Sequence, residues 1–267
     1  MDWANKKEVL QAIMAETKNI QFASKELRDD RDVMLAVINR DFNLLGFGGP
    51  KIKGDKDIVL HAIRLDGMTL RFASDDLKED PEVVRCAIQK DGGAFQYAGP
   101  LLKNNKEMVL FAVKRYPPAI RFVSPELKMD KEVAIVAVTE SGYGLEYLNN
   151  VMQNDKDVVM AAVKKTGHAI QYASRWLRED REVVMAAVTE NGFCLQDATK
   201  YWNDKEVVYT AMLTNVDVLE YADPNLRALL KDSDNPLEKL KTLIEKEKLE
   251  ARCSEIDLHP KKKNEAL

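Results

Sequence analysis

Histidine and cysteine often serve in catalysis and metal binding, and this 267-residue chain has only three of each. They are His61, His168, His259, Cys86, Cys194 and Cys253. They are widely spaced in the sequence, and no P-loop or dinucleotide-type glycine run accompanies them. His61 and Cys86 occupy equivalent places in two consecutive repeats, but helices packed about 8–10 Å apart do not bring such residues onto one metal ion. We therefore predict no catalytic residue, no metal site and no cofactor, and a small-molecule substrate is not favoured.

Carboxylates are far more numerous, and their spacing is periodic. A string of the type Asp-Lys/Arg-Asp/Glu-Val, with Asp or Asn first, begins nine times. The starts are Asn5, Asp30, Asp55, Asp80, Asn105, Asp130, Asp155, Asp180 and Asp204. Positions are numbered from these starts, which are 25 residues apart seven times and then 24. Carboxylates at fixed places in a repeat are explained by helix capping and helix-dipole interactions, so they do not indicate an acid–base pair.

The first half of each repeat has the apolar spacing of a helix. Positions 4, 5, 8 and 9 are apolar with few exceptions and share one helical face, and position 8 is usually Ala. Asp or Asn at position 1 and an acid at position 3, such as Asp57 or Glu82, predict the helix start. Pro117 at position 13, and Gly at this position in five other repeats, predict its end, with the glycine in the left-handed conformation. We call this helix of about ten residues helix A.

The second half predicts a shorter helical segment. Apolar or small residues at positions 16, 19 and 23 follow i, i+3, i+7 spacing, and position 18 is aromatic in eight of nine repeats. This spacing indicates a short helix, or a helical turn followed by a 3-10 turn. Ser at position 20 of the odd-numbered repeats 1, 3, 5 and 7 predicts the start of a second helical segment. We predict that the aromatic rings belong to the core and are not platforms for stacking on bases.

These elements predict an all-α fold. One repeat is too small to bury its apolar face, so neighbours must stack into an α-solenoid of about nine 25-residue repeats over residues 5–230. The serine alternation points to a superperiod of about 50 residues. Residues 234–252 are predicted to form an amphipathic helix that caps the last repeat or, alternatively, binds a partner. Residues 253–267 are predicted to form a flexible tail.

The repeat resembles a known family. The strings Asp-Lys-Glu/Asp-Val-Val-x-x-Ala-Val, then Gly, then Leu/Ile-Gln/Arg-Tyr/Phe-Ala-Ser-x-x-Leu-Lys/Arg are similar to the tandem repeat called domain of unknown function number 4116. Residues 155–179 and 180–197 match best, and the resemblance covers about 220 residues. It implies a helical repeat protein and brings no activity or catalytic residue. Asp197 departs from the family's aromatic at position 18, and residues 46–50 depart at several positions.

Composition limits the classes of partner. The chain is 45% hydrophobic and 31% charged, with a net charge of −4, which does not favour nucleic acid as the main partner. Bases at position 2 of eight repeats and at position 24, including Lys53, Lys78, Lys103 and Lys128, keep an RNA-binding repeat protein as the alternative. We predict instead that these bases and the neighbouring carboxylates form a ridge of inter-repeat ion pairs. No apolar run approaches the roughly 18 residues of a membrane span, and the first residues lack a signal-type apolar stretch. An odd number of spaced cysteines favours a reducing compartment, so we expect a cytoplasmic protein without membrane insertion.

Residues that vary while the core stays constant are candidates for specific binding. Position 17 provides Arg71, Gln96, Arg121 and Gln171, and Trp176 is a large aromatic expected at an exposed or edge place. We predict that these five residues bind a partner. The sequence as a whole favours a non-enzymatic scaffold that binds a protein or peptide along an extended surface.

Overall fold

A computed structural model describes residues 2–258 and the side chains of residues 2–252. Within these residues every secondary-structure element is helical, and no helix is long and apolar enough to cross a membrane. The contacts divide the described chain into two compact units. Unit 1 runs through Glu140 and includes Tyr147–Asn149, and unit 2 comprises Ser141–Glu146 and resumes at Asn150. Residues 259–267 of the predicted tail, with His259, lie outside the described residues.

Helix A is α-helical in each of the nine repeats. Its bounds are Lys6–Ala15, Arg31–Ile38, Lys56–Leu65, Pro81–Lys90, Lys106–Arg115, Lys131–Glu140, Lys156–Lys165, Arg181–Glu190 and Lys205–Thr214. The predicted cap is confirmed: Oδ1 of Asp80, for example, accepts hydrogen bonds from the backbone N–H groups of Glu82 and Val83 at 2.9 and 3.2 Å. Two N–H groups that the helix leaves unpaired are thereby satisfied.

A six-residue 3-10 helix follows helix A in every repeat. These helices are Thr17–Phe22, Phe42–Phe47, Gly67–Phe72, Gly92–Tyr97, Pro117–Phe122, Gly142–Tyr147, Gly167–Tyr172, Gly192–Asp197 and Val216–Tyr221. The 3-10 helix therefore precedes the second helical segment. The sequence predicted either a short helix or a helical turn followed by a 3-10 turn, which is the opposite order. Within each unit, helix A packs on helix A and 3-10 helix on 3-10 helix of the neighbouring repeats. This arrangement confirms the all-α solenoid.

The third element, which we call helix B, begins at position 20 or 21 of most repeats. Its bounds are Lys25–Arg28, Pro50–Gly54, Asp75–Lys78, Pro100–Lys103, Leu127–Met129, Met152–Asn154, Arg175–Arg178, Thr199–Tyr201 and Pro224–Lys231, of which the fifth, sixth and eighth are 3-10 helices. Ser74 caps its own helix B through Leu77 N–H. In the next repeat Gly99 replaces the serine, and Glu79 of the preceding repeat accepts from Leu101 and Leu102 N–H instead. These two caps alternate through repeats 1–4, which accounts for the serine alternation in that part of the array.

The glycines at position 13 do not adopt the predicted left-handed conformation. No described glycine has a positive φ, and each of these five begins a 3-10 helix. A Cβ placed on Gly67 would lie 2.5 Å from the carbonyl oxygen of Ala87 in the next repeat, and one on Gly167 would lie 2.6 Å from that of Ala187. At four of the five positions glycine is therefore needed because adjacent repeats approach closely at backbone level, with position 8 of the next repeat as the contact; at Gly92 the nearest atom is Cβ of Tyr116.

The two ends differ from the middle repeats. Glu8, at the otherwise apolar position 4, is only half-buried in repeat 1. After repeat 9 the terminal helix runs Pro236–Leu258, six residues beyond the predicted end at 252, and buries Leu240 and Ile244. It packs on helix A of repeat 9, where Glu247 accepts from Lys205. This helix therefore packs over the last repeat.

Candidate functional site

The charged residues at positions 1, 2 and 3 form a repeated inter-repeat contact, which we call the charge clasp. Lys56 Nζ of repeat 3 lies 2.8 Å from Asp80 Oδ2 and 2.7 Å from Glu82 Oε2 of repeat 4. Asp80 therefore uses one oxygen to cap its own helix and the other to bind the preceding repeat. The cations that make the equivalent contact are Lys6, Arg31, Lys106, Lys156 and Arg181. The predicted ridge of inter-repeat ion pairs is confirmed at these junctions.

The clasp shifts the pKa values of both partners in the direction that favours their charges. Burial opposes ionisation of Asp80, but the hydrogen bonds from Lys56 and from the Val83 backbone outweigh it and hold the pKa of Asp80 below its usual range. Hydrogen bonds to Asp80 and Glu82 raise the pKa of Lys56. These cations are consequently engaged within the chain and offer little free charge to phosphate.

One junction lacks the clasp on both sides. Repeat 4 has Pro81 at position 2, and repeat 5 has Asn105, which caps its helix through Met108 N–H but carries no charge. Arg85 Nη2 of repeat 4 instead lies 2.9 Å from Glu107 Oε1 of repeat 5. The absence of the cation thus coincides with the absence of the carboxylate that would receive it.

Lys103 and Lys128, at position 24 in the middle of unit 1, do not form the predicted inter-repeat ion pairs with any described residue and instead bond within their own repeats. Lys103 Nζ donates to the carbonyl oxygen of Gln96 at 2.7 Å, and Lys128 Nζ donates to that of Arg121 at 2.9 Å. Burial lowers the pKa of both lysines. Each satisfies a carbonyl near the end of its own 3-10 helix, which a helix end otherwise leaves unpaired.

The aromatic residues at position 18 are not core residues, contrary to the prediction. In unit 1 they are Phe22, Phe47, Phe72, Tyr97, Phe122 and Tyr147, and we call them the aromatic face. The first two are 54% and 37% exposed, and the other four are half-buried. A Cβ on Gly46 would lie 2.8 Å from Cε1 of Phe72, so a ring packs against position 17 of the preceding repeat. One part of the ring thus contacts the neighbouring repeat, and the rest lies at the surface. The residue at position 19, next in the chain, is the one that is buried.

Three predicted binding residues lie beside the aromatic face on consecutive 3-10 helices. Arg71 is exposed, donates to Asn43 Oδ1 at 2.6 Å and stacks 4.5 Å from the centroid of Phe72. Arg121 is exposed and lies 5.1 Å from the centroid of Tyr147. Gln96 is half-buried and donates to Gly93 O within its own 3-10 helix. Stacking on a ring holds a guanidinium in place and leaves donors for a partner.

The other two predicted residues, Gln171 and Trp176, belong to unit 2. Gln171 lines a cavity of about 300 Å³ between repeats 7 and 8, together with Arg175, Arg178, Glu179, Asp197 and Lys200. Trp176 lies on helix B beside it and is 79% exposed, the largest fraction of any large apolar side chain among the described residues. A cavity at equivalent positions lies between repeats 1 and 2 of unit 1, lined by Lys25, Arg28, Asp29 and Phe47.

The structure also joins two residues that the sequence analysis had treated as scattered. Cys194 Sγ lies 3.8 Å from His168 Nδ1, on neighbouring 3-10 helices of unit 2. They occupy positions 15 and 14 of consecutive repeats, which is the signal that could have found them. Burial, with Glu190 and Asp197 nearby, raises the pKa of Cys194 to about 12, so the thiol stays protonated at neutral pH. His61 hydrogen-bonds Asn39, and the described residues hold no group of three or more metal-ligating side chains.

Comparison with known proteins identifies the repeat. The model of the family described as a domain of unknown function (DUF4116) matches residues 5–53, 55–103, 105–153, 130–178, 155–202 and 180–227. Each match spans two consecutive repeats, and the last four matches overlap one another by one repeat. No curated protein and no solved structure matches the chain. The matches run across most of the sequence, and the chain therefore belongs to the DUF4116 family of tandem helical repeats.

Proposed function

We propose that this protein is a non-enzymatic repeat scaffold that binds a protein or peptide partner through the exposed surface of its 3-10 helices. The observation that carries the proposal is a difference between two sets of residues, one engaged in contacts within the chain and the other lying at the surface. Periodic charges are engaged by caps and by the charge clasp, whereas Arg71 and Arg121 are exposed and the aromatic face beside them is half-buried to exposed. Aromatic side chains and arginines at a surface are the residue types that dominate protein–protein binding energies.

The basic residues support a protein partner over RNA. Clasp lysines lie within hydrogen-bond distance of two carboxylates, so binding phosphate would require breaking those contacts. Lys103 and Lys128 are bonded to backbone carbonyls and are partly buried. Neither set forms the free row of cations that sequence-independent binding to nucleic acid requires.

Catalysis is not part of the proposal. The one Cys–His pair in the described residues has its thiol buried and its pKa raised, which opposes the thiolate form that a nucleophilic cysteine needs. The periodic carboxylates are explained by their capping and clasp contacts.

The proposal is tested by capture of a partner with the full-length protein, followed by affinity measurements on the purified pair. We expect Arg71→Ala combined with Arg121→Ala to weaken binding by about 1–3 kcal/mol, roughly ten- to a hundredfold. The matched control is Lys90→Ala combined with Lys114→Ala, which removes the same charge from exposed helix A positions of the same unit. Equal loss in both pairs, or a captured RNA whose affinity falls steeply with salt, would contradict the proposal.

A further inference from the structure

The cavity between repeats 7 and 8, which we call the unit 2 pocket, differs from the equivalent cavity between repeats 1 and 2. In the latter, Asp29 accepts hydrogen bonds from Lys51 and Ile52 N–H and so caps the next helix B. Helix B of repeat 8 is instead the short 3-10 helix Thr199–Tyr201, and Glu179, the residue equivalent to Asp29, pairs with Arg175 at 3.2 Å. In the unit 2 pocket the acid at this position therefore pairs with a side chain of its own repeat, whereas in repeat 1 it caps the next helix B.

The charged side chains of the unit 2 pocket differ in whether they have a partner within the chain. Arg175 is paired with Glu179, and Lys200 Nζ donates to the Glu179 carbonyl oxygen at 3.3 Å. Arg178 is exposed, and its side chain forms no ion pair or hydrogen bond with any residue in the described part of the chain. Three cations and two carboxylates line the pocket, which leaves a net positive charge with Arg178 as its unneutralised member.

Trp176 provides an exposed apolar side chain beside the unit 2 pocket. It lies on the helix that carries Arg175 and Arg178, and its side chain is 79% exposed. The equivalent residues of repeats 1, 3 and 5 are Glu26, Asp76 and Glu126. An exposed tryptophan beside an unpaired arginine combines the two side chains most enriched in binding hot spots.

We propose that the unit 2 pocket binds an acidic peptide segment of a protein partner, with an Asp or Glu side chain entering toward Arg178 and an adjacent apolar side chain packing on Trp176. The inference rests on the proposed scaffold function and names the chemistry of one partner site. Charge complementarity selects an acid, because Arg178 and Lys200 outnumber the remaining carboxylate of Asp197. The single net positive charge of the pocket is balanced by one carboxylate, whereas a dianionic phosphate would leave the pocket with a net negative charge, so an acidic side chain matches it better than a phosphate group.

The test is selection of a random dodecapeptide phage library on the immobilised full-length protein, followed by fluorescence-polarisation titration of the selected peptides. We expect enrichment of Asp or Glu next to an aromatic or aliphatic residue. Arg178→Gln should weaken binding at least about tenfold and Trp176→Ser by a similar factor. Asp197→Asn removes a repulsive carboxylate and should tighten binding severalfold.

The matched control is Arg64→Gln, which removes an exposed arginine of helix A in unit 1 and should leave affinity for these peptides unchanged. Selected peptides without acidic enrichment, or acidic peptides indifferent to Arg178→Gln and Asp197→Asn, would overturn the inference. So would displacement of the peptide by inorganic phosphate at lower concentration than by free glutamate. Peptides that depend on Arg71 and Arg121 alone would refute the unit 2 pocket while supporting the scaffold, and a library that yields no binder to either surface would refute both.

Discussion

Several residues in this protein have a role in their own helix and also contact an adjacent repeat. Asp80 caps one helix and binds the cation of the preceding repeat, and Gly67 starts a 3-10 helix while it admits the backbone of the following repeat. Such double use explains why these residue types recur in the repeat. It also means that one substitution at such a position affects an element and an interface together.

Glycine at position 13 gives the clearest residue-scale prediction. Gly67→Ala should destabilise the protein by about 1–3 kcal/mol, because its Cβ would meet backbone atoms of the next repeat that cannot move independently. The measurement is urea unfolding monitored by circular dichroism. Gly54→Ala is the control, since its Cβ would have only Ser74 Oγ nearby, at 3.8 Å, and it should be neutral or stabilise by about 0.5 kcal/mol. Equal effects of the two substitutions would show that close approach is not the reason for glycine.

At the scale of elements, the charge clasp links the N-terminus of each helix A to the preceding repeat. The pKa values of Asp30, Asp80, Asp130, Asp180 and Asp204 are lowered. Those of Lys6, Lys56, Lys106 and Lys156 are raised. Because the pairs are partly exposed to solvent, we expect each to contribute little and the set to be sensitive to salt.

The pH dependence of stability follows from these directions. A carboxylate with a lowered pKa stabilises the fold above its unfolded value of about 3.9, and this contribution is lost as pH falls through the folded pKa. A lysine with a raised pKa stabilises below about 10.4, and this contribution is lost as pH rises through the folded value. The clasp should therefore act fully between about pH 4 and 10. Melting temperatures of the wild type and of Asp80→Asn, which keeps the cap but not the charge, should differ in that range and converge in acid; a difference independent of pH would contradict the clasp.

Elements that depend on local sequence were predicted well. Helix A, its caps and the repeat period follow from side chains within one repeat. The conformation of Gly67 and the exposure of Phe72 were predicted wrongly, because both are decided by contacts with an adjacent repeat. For the same reason the proximity of Cys194 and His168 was missed. Of the candidate site, the sequence identified residues that are mostly exposed, but the division of those five residues between two units required the structure.

At the scale of the whole molecule, repeats that share one core should lose stability together. Ala162 is fully buried, and its carbonyl oxygen lies within 2.6 Å of the place where a Cβ on Gly142 would be. Ala162→Asp should cost on the order of 3 kcal/mol or more, because an unpaired carboxylate is buried between repeats. Urea unfolding should show the loss, and the exposed Lys164→Asp is the control. A free energy of unfolding equal to that of the parent would mean that position 8 is not an inter-repeat contact.

Hydrogen–deuterium exchange of the free and partner-bound protein would show whether the 3-10 helices, and not the charged helix ends, form the binding surface. In unit 1 we expect binding to slow exchange in Gly67–Phe72, Gly92–Tyr97 and Pro117–Phe122. Exchange at the clasp ends of Lys56–Leu65 and Lys106–Arg115 should remain unchanged. Protection confined to those clasp ends, with the 3-10 helices unaffected, would contradict this expectation.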